Sequence, residues 1–180
     1  DWAWRPDAWC RPLPEPDRAA PPSGTRLDDT VAVFHDCACP DLALRQVRNT
    51  RDGDDAPFGL CMDVFAFDGS FLSLVVDLPE TAIAGLGSDR LVQLDTLIET
   101  ESPLRIFARL NIRHGPNTAR LLREIPADAP RNTVDFDLAY AGLNDKRITQ
   151  GWLDLIFESP GRAFVTLRDV TLCRHPRAVL

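Results

Sequence analysis

Hydrophobic residues recur at every second position through most of the chain after residue 30. Because successive side chains of a β-strand point to opposite faces, this period predicts strands with one face in a core. The cleanest example is residues 104–113, where Leu104, Ile106, Ala108, Leu110 and Ile112 alternate with Arg105, Phe107, Arg109, Asn111 and Arg113. The same pattern occurs at 31–34, 42–47, 60–67, 71–78, 92–98, 134–140, 152–157 and 164–172. The sequence therefore predicts an all-β jelly-roll β-sandwich of about nine strands, with 82–86 or 117–124 as candidates for short helical turns.

The first 27 residues differ in composition from the rest. They hold six of the fifteen prolines, whose fixed φ and missing N–H disfavour regular helix and sheet. They also hold Trp2, Trp4 and Trp9, large rings that usually anchor irregular chain against a folded surface. We therefore expect an irregular Trp/Pro-rich N-terminal arm over 1–27, packed on the domain, and a jelly-roll β-sandwich domain over 28–180.

Length, composition and charge exclude several classes of protein. A chain of 180 residues can bury a core without cross-links, and 44% hydrophobic with 26% charged residues is typical of a globular domain. No run of 18 apolar residues occurs, so we expect no transmembrane segment. The formal net charge of −7 disfavours nucleic acid as a partner.

Acidic and basic residues are unevenly distributed along the chain. Residues 28–101 hold 15 acidic and 4 basic residues, whereas residues 102–180 hold 8 acidic and 12 basic residues. If the fold keeps these populations apart, the molecule is polar and head-to-tail association into an oligomer is possible. In a Greek-key sandwich the two parts of the sequence interleave, which would mix the charges.

The cysteines indicate a reducing environment. An odd number without CxxC pairing is not typical of a secreted disulfide scaffold, so we expect free thiols and a bacterial cytoplasmic location. The chain starts at Asp1 without an initiator methionine or a signal-peptide pattern, which favours a processed or partial chain. The cysteines are Cys10, Cys37, Cys39, Cys61 and Cys173.

The outward row of the 104–113 strand is the strongest candidate binding surface. Guanidinium groups offer forked donors to hydroxyl pairs and carboxylates, and an aromatic ring can stack on the apolar face of a sugar. The row is therefore suited to a polysaccharide, in particular an acidic one. The alternative is a solvated face whose arginines pair with Asp and Glu on neighbouring strands. The predicted ligand-binding residues are Arg105, Phe107, Arg109, Asn111 and Arg113, with Arg48, Tyr140 and Trp152 as neighbours.

Signals for metals and for catalysis are weak. His35, Cys37 and Cys39 share one face of an extended segment, but their spacing matches no common zinc motif, and a Cys–His nucleophilic pair lacks local support. The acidic loop 52–55 could hold a structural calcium ion, although it lacks the glutamate of an EF-hand. No two carboxylates stand out as a glycosidase pair. We therefore expect no cofactor beyond that calcium, leave the metal ligands open and consider an enzyme the less favoured class.

Five segments carry a family resemblance: Phe-His-Asp-Cys at 34–37, Leu-Arg-Gln-Val-Arg-Asn at 44–49, Asp-Gly-Ser-Phe-Leu-Ser-Leu at 68–74, residues 107–118, and Trp-Leu-Asp-Leu-Ile-Phe at 152–157. Together they resemble an uncharacterised domain-of-unknown-function family of Rhodobacter-like alphaproteobacteria. The resemblance extends over the whole chain, including its Asp-Trp-Ala-Trp-Arg-Pro opening. It implies a type of organism but no activity and no catalytic residue.

The final predicted strand, residues 164–172, carries a second resemblance, which concerns the architecture of the domain. Residues 164–172 contain an aspartate flanked by β-branched residues and follow the strand at 152–157, which is similar to the end of galactose-binding-like jelly rolls. That resemblance implies a non-catalytic carbohydrate-binding or adhesion module, although a fold does not fix a function. We therefore predict a carbohydrate (polysaccharide) binding module. The alternatives are a structural or protein–protein interaction module within a larger assembly and a glycan-acting hydrolase, so the expected partner is a glycan or a protein.

Overall fold

The computed structural model of the protein describes residues 2–178. Asp1 of the predicted arm, and Val179 and Leu180 of the predicted domain, lie outside the described residues. Residues 2–178 form thirteen β-strands, one α-helix and three 3₁₀ helices. The strands are β1 (Trp2–Trp4), β2 (Asp17–Ala19), β3 (Thr25–Arg26), β4 (Val31–His35), β5 (Asp41–Arg48), β6 (Phe58–Ala66), β7 (Phe71–Asp77), β8 (Arg90–Thr100), β9 (Ile106–His114), β10 (Asn117–Ile125), β11 (Arg131–Asp137), β12 (Ile148–Glu158) and β13 (Ala163–Pro176). The α-helix, α1, is Glu80–Ile83, and the 3₁₀ helices are Asp7–Trp9, Leu138–Tyr140 and Asp145–Arg147.

The strands form two antiparallel sheets. Among the described residues, a seven-stranded sheet has the order β11-β8-β13-β6-β5-β2, with β1 also paired to β13, and a six-stranded sheet has the order β10-β9-β12-β7-β4-β3. The chain passes repeatedly between the sheets, as from β6 to β7 and from β7 to β8, which is typical of a jelly-roll sandwich. The predicted all-β fold class is confirmed.

The two sheets enclose one hydrophobic core, and β9 illustrates how the sequence builds it. This strand lies between β10 and β12 in the six-stranded sheet. Its residues Ile106, Ala108, Leu110 and Ile112 are buried in the core, as the alternation predicts. Their neighbours along the strand therefore point to the outer face of the six-stranded sheet.

The N-terminal arm is more regular than predicted. It contains three short strands: β1 pairs with β13, β2 with β5, and β3 with β4. The arm therefore adds short strands to both sheets, and the chain between them is mostly irregular. Each of these strands has only two or three residues, because Pro6, Pro16 and Pro21 lie close to their ends and cannot donate to a ladder.

Two side chains of the arm bind the last strand, β13. The buried Trp9 donates its Nε1–H to the carbonyl oxygen of Leu167 at 2.9 Å. Arg5 donates two hydrogen bonds to the Asp169 carboxylate, at 2.7 and 3.0 Å. The register of β13 against β8 shifts between Leu167 and Asp169, a bulge that interrupts the ladder and leaves polar groups in need of other partners. The arm is therefore held at the bulge by specific hydrogen bonds.

The predicted helical turns have different outcomes. The segment 117–124 forms most of β10 instead of a helical turn, because its pairing with β9 runs along its whole length. The turn predicted at 82–86 overlaps α1. Residues 138–140, predicted as the end of a strand, form a 3₁₀ helix, where Asp137 accepts a hydrogen bond from the backbone N–H of Ala139. None of the helices formed by residues 2–178 is long and apolar enough to span a membrane.

Candidate ligand-binding groove

A groove of about 570 Å³ lies on the outer face of the six-stranded sheet. Small-molecule sites in proteins commonly have volumes of about 300–1,000 Å³, so the groove has the size of a ligand site. Five strands, β4, β7, β9, β10 and β12, contribute to it. The lining residues are Phe34, Phe71, Ser73, Val75, Arg109, Asn111, Arg120, Trp152, Asp154 and Ile156.

Strand register brings these residues together from distant parts of the sequence. Arg120 of β10 lies opposite Asn111 of β9, and Asn111 lies opposite Trp152 of β12. In the next row, Arg109 of β9 lies opposite Asp154 of β12. Directly opposite residues on antiparallel strands have Cβ atoms about 5 Å apart, so side chains in one row contact each other.

A buried carboxylate forms the polar part of the groove's floor. Asp154 is only 3% exposed, and its Oδ2 accepts hydrogen bonds from Arg109 Nε at 2.8 Å and from Asn111 Nδ2 at 3.0 Å. Arg109 Nη2 lies 2.7 Å from the same oxygen. This pairing offsets the cost of burying the charge. The hydrogen bonds that Asp154 accepts from described side chains all go to Oδ2.

Ser73 supplies a hydroxyl group to the groove. Its side chain is 4% exposed, and its Oγ has no hydrogen-bond partner among residues 2–178. A buried polar group without a partner costs about 1–3 kcal/mol, and most such groups in folded proteins are paired. Because Ser73 lines the groove, a ligand hydroxyl there can supply the missing hydrogen bond.

Aromatic and aliphatic side chains form the apolar part of the groove. Phe34 and Phe71 are 40% and 36% exposed, whereas Trp152 and Ile156 are half-buried. Apolar surface gathered in one depression is typical of a binding site rather than of an ordinary protein surface. The groove therefore combines rings on which a ligand can stack with a few fixed polar groups.

Asp36 holds the Phe71 end of the groove in place. Its carboxylate accepts hydrogen bonds from the backbone N–H groups of Ser70, at 2.8 Å, and Phe71, at 3.1 Å, and from the Ser70 hydroxyl. The Ser70 hydroxyl, followed by the Phe71 N–H, lowers the pKa of Asp36 to about 2, because these bonds favour the charged form. At neutral pH the carboxylate therefore ties the loop after β4 to the start of β7.

A smaller cavity of about 240 Å³ adjoins the groove. The two cavities share Phe34, Val75 and Trp152, and the smaller one adds Arg113 of β9 and Gln150 of β12. The outer face of the six-stranded sheet thus has one continuous depression, with the Trp152 side chain common to both parts.

Four of the predicted binding residues lie in this depression. Arg109, Asn111 and Trp152 line the groove, and Arg113 lines the adjoining cavity. Within this group, Arg109 is tied to Asp154, so it supports the floor of the groove more than it offers a free guanidinium.

Arg105 and Phe107, at the other end of the predicted row, do not line the groove. Arg105 pairs with Glu124 of β10 and Glu158 of β12, at 3.1 and 3.3 Å. Its guanidinium also lies 5.0 Å from the centroid of the Phe107 ring. This end of the row matches the alternative interpretation, a solvated face with paired arginines.

Arg48 and Tyr140 lie away from the row, which corrects the prediction that they are its neighbours. Arg48 belongs to β5, and its guanidinium lies 5.4 Å from the centroid of the Phe58 ring. Tyr140 lies in the 3₁₀ helix after β11, 5.6 Å from the Arg177 guanidinium. Arg48 is the last residue of a strand in the seven-stranded sheet, and Tyr140 follows another strand of that sheet, whereas the row is on the six-stranded sheet.

Sequence reasoning missed Phe34, Phe71, Ser73, Asp154 and Arg120. A partial signal exists, because Phe34 ends the apolar run at 31–34 and Asp154 interrupts the apolar run at 152–157. The alternation marks such residues as outward-facing but does not tell which of them meet. That depends on strand register, which is not a local property of the sequence.

The metal and thiol candidates are engaged in other contacts. The Cys37 thiol donates to Asp68 Oδ1 at 2.8 Å, whereas His35 Nδ1 accepts the backbone N–H of Cys37 at 3.2 Å, so the imidazole does not act on the thiol. In the acidic loop 52–55, Asp55 pairs with Arg131 at 2.9 Å. Within residues 2–178, no three His, Cys, Asp or Glu side chains are grouped to hold a metal ion, and all five cysteines are free.

The seven-stranded sheet has a cavity of about 350 Å³ that provides a contrast. Five of its six charged side chains pair with one another: Arg45 with Asp63 at 2.9 Å, Arg51 with Glu99, and Arg168 with Glu99 at 3.2 Å. Each of these charges has an oppositely charged partner, although Arg168 Nε, like Ser73 Oγ in the groove, lacks a hydrogen-bond partner among residues 2–178. The groove has the larger volume and two exposed aromatic rings, which makes it the better candidate for a ligand site.

Comparison with known proteins identifies the family of the chain. The model of the family of unknown function DUF6478 matches residues 1–180, so the chain belongs to that family. The predicted resemblance to an uncharacterised family is confirmed. No curated protein sequence matches the chain.

Several solved structures share the fold. A family 11 carbohydrate-binding module from Clostridium thermocellum, in complex with a β-1,3-1,4-mixed-linked tetrasaccharide, is 10% identical with a TM-score of 0.54, over 87% of this chain and 95% of that chain. The family 11 module of the Clostridium thermocellum cellulase Lic26A-Cel5E is 10% identical with a TM-score of 0.53, over 88% of this chain and 95% of that chain. The active domain of tailspike protein 4 from bacteriophage CBA120 is 7% identical with a TM-score of 0.54, over 79% of this chain but 19% of that chain. At these identities the likeness shows the jelly-roll fold alone.

Proposed function

We propose that this DUF6478 protein is a non-catalytic carbohydrate-binding module that holds a segment of polysaccharide in the groove beside Trp152. One observation carries the proposal. A single groove of about 570 Å³ combines exposed aromatic rings with a buried hydroxyl, that of Ser73, which has no hydrogen-bond partner among residues 2–178. Sugars need this combination, because a pyranose ring has an apolar face and a rim of hydroxyl groups.

Each part of the groove has a role in this proposal. The ring of Trp152 stacks on the apolar face of one sugar, and Phe34 and Phe71 provide a second apolar contact. Oδ1 of Asp154 accepts a hydrogen bond from a sugar hydroxyl, and Ser73 Oγ bonds another. Because the sheet already fixes these groups, binding requires little ordering of the protein.

The fold supports the proposal by analogy. The Clostridium thermocellum module of similar fold is recorded with a bound tetrasaccharide, so a sandwich of this architecture can present a glycan site. The analogy does not identify the sugar, because the two chains are only 10% identical.

The two alternative functions are less well supported. A protein-interaction module would be favoured by a flat patch, whereas the candidate site here is a groove. A hydrolase needs two carboxyl groups about 5–9.5 Å apart. Among the described residues that line the groove, Asp154 is the one carboxylate, and it is paired with Arg109.

The test is glycan binding with matched aromatic variants. The protein is screened on a glycan array, and hits are measured by isothermal titration calorimetry for the wild type, Trp152→Ala and Tyr140→Ala. Tyr140 is 80% exposed and lies outside the groove, so its removal controls for the loss of a surface ring. We expect Trp152→Ala to weaken binding at least about tenfold, the effect of losing about 1.4 kcal/mol, and Tyr140→Ala to leave it unchanged. Absence of binding to every glycan, or equal effects of the two substitutions, would overturn the proposal.

A further inference from the structure

We infer that the ligand of the groove is an acidic polysaccharide whose carboxylate or sulfate groups bind Arg113 and Arg120. This inference rests on the proposed function and specifies the class of glycan.

The charges that face the depression are not balanced. The groove and the adjoining cavity are lined by four arginines and two aspartates. Both aspartates are already paired, Asp154 with Arg109 at 2.7 Å and Asp77 with Arg26 at 3.1 Å. The depression therefore has two surplus positive charges, in a protein whose formal net charge is −7.

Arg113 and Arg120 are the source of this surplus. Both side chains are exposed, and neither guanidinium has a hydrogen bond or an ion pair with another residue in the described part of the chain. By contrast, Arg109 of β9 and Arg105, just before β9, both have acidic partners on neighbouring strands. Arg113 and Arg120 therefore differ from those two arginines in having no acidic partner among residues 2–178.

The two free arginines lie beside the proposed stacking platform. Arg120 is in the same cross-strand row as Asn111 and Trp152, and Arg113 is two residues from Asn111 along β9. Cross-strand neighbours are about 5 Å apart and successive same-face residues about 7 Å apart, so both guanidiniums lie close to a sugar stacked on Trp152.

A guanidinium group without a protein partner binds an anionic group in preference to a neutral hydroxyl. Arg presents planar forked donors that match carboxylate and sulfate oxygens, and such charge-assisted bonds are stronger than bonds to neutral hydroxyls. The acidic groups on other faces of the protein do not prevent this, because charges are screened beyond about 8 Å at physiological ionic strength. A negatively charged protein can therefore hold a polyanion at a locally positive site.

The test compares polymers that differ in charge. Binding of polygalacturonate, dextran sulfate and neutral mixed-linkage β-glucan is measured by calorimetry at low and high NaCl. The proteins are the wild type, Arg113→Gln, Arg120→Gln, Trp152→Ala and Arg48→Gln. Arg48 is an exposed arginine on the opposite sheet, so its variant controls for the loss of one positive charge.

We expect at least one acidic polymer to bind at least about tenfold more tightly than the neutral glucan, with an affinity that falls as salt rises. Arg113→Gln and Arg120→Gln should each weaken that binding about five- to tenfold, and Arg48→Gln should not. Polygalacturonate and dextran sulfate distinguish carboxylate from sulfate recognition.

Other outcomes would overturn the inference in distinguishable ways. Equal binding of the neutral glucan, unaffected by the arginine variants but lost in Trp152→Ala, would refute acidic recognition and leave the proposed function standing. Weakening by Arg48→Gln equal to that by Arg113→Gln would show unspecific attraction and also refute it. Absence of binding to all three polymers, together with a negative glycan array, would refute both proposals.

Discussion

The two oxygens of the Asp154 carboxylate have different roles in the proposed site, one structural and one in ligand binding. Oδ2 accepts the hydrogen bonds of Arg109 and Asn111, and the proposed function gives Oδ1 to the ligand. A buried carboxylate without a cation would be costly, so the ion pair with Arg109 is what allows an acidic group in the floor of the groove. Substitution of Arg109 would therefore alter stability as well as ligand binding.

Arg109→Ala should lower the free energy of unfolding by about 2 kcal/mol, because it leaves the buried Asp154 with only the Asn111 amide as a partner. The measurement is urea denaturation followed by circular dichroism. Arg105→Ala is the matched control on the same face, since its pairs with Glu124 and Glu158 are exposed and contribute little. Equal losses in the two variants would contradict the structural role of Arg109.

The carboxylate of Asp36 should titrate with a pKa of about 2, measurable by NMR of its carboxyl carbon. Because the folded pKa is lowered, its stabilising effect is complete above the usual pKa near 4 and is lost as pH falls toward 2. Ser70→Ala should raise this pKa, since the Ser70 hydroxyl is the largest cause of the shift. Ser73→Ala removes a hydroxyl that does not contact Asp36 and should leave the pKa unchanged. A normal pKa in the wild type would contradict the observed hydrogen bonds.

At the scale of secondary-structure elements, the bulge of β13 depends on side chains from elsewhere in the chain. The Leu167 carbonyl accepts the indole N–H of Trp9, and the Arg168 carbonyl accepts Asn49 Nδ2 at 2.9 Å. A Cβ atom at Gly59 would lie 3.1 Å from the Leu167 oxygen, so glycine allows β6 to approach the bulge closely. The arm, β5 and β6 therefore meet at this irregular point.

Trp9→Phe should lower the free energy of unfolding by about 1–3 kcal/mol, because it leaves the Leu167 carbonyl unpaired in a buried place. Chemical denaturation of the variant measures this loss. Trp4→Phe is the control, since Trp4 is half-buried and its indole donates no hydrogen bond to another described residue, so its loss should be smaller. A larger effect of Trp4→Phe would show that ring packing, and not the hydrogen bond, holds the arm.

Elements were predictable from the sequence where their pattern is local. The alternation in β9 predicts both the strand and the direction of its side chains, because one buried face is enough to set it. In β10 the adjacent Leu121 and Leu122 interrupt the alternation of apolar and polar residues, so the sequence does not clearly predict a strand. The segment is a strand because it pairs with β9. The strands of the arm are too short to produce a pattern. The contact of Arg109 with Asp154 depends on the register of β9 with β12, which no local feature encodes.

At the scale of the whole molecule, the strand order mixes the acidic and basic parts of the sequence. Strands β4 and β7 come from the acidic residues 28–101, and β9, β10 and β12 come from the basic residues 102–180, yet all five belong to the six-stranded sheet. The groove spans the junction of the two groups. Its apolar rings Phe34 and Phe71 therefore come from one part of the sequence, and Arg109 and Arg120 come from the other.

The arm and the sandwich should unfold as one cooperative unit. The arm supplies strands to both sheets, and its Trp9 is fully buried in the common core. Tryptophan fluorescence reports mainly on the arm, which holds three of the four tryptophans, and Trp152→Phe makes that signal specific to the arm. We therefore expect the fluorescence and far-UV circular dichroism transitions of Trp152→Phe to coincide in urea, the test of two-state unfolding. A fluorescence transition at lower urea would mean that the arm detaches before the sheets separate, and that residues 28–178 form a stable core without it.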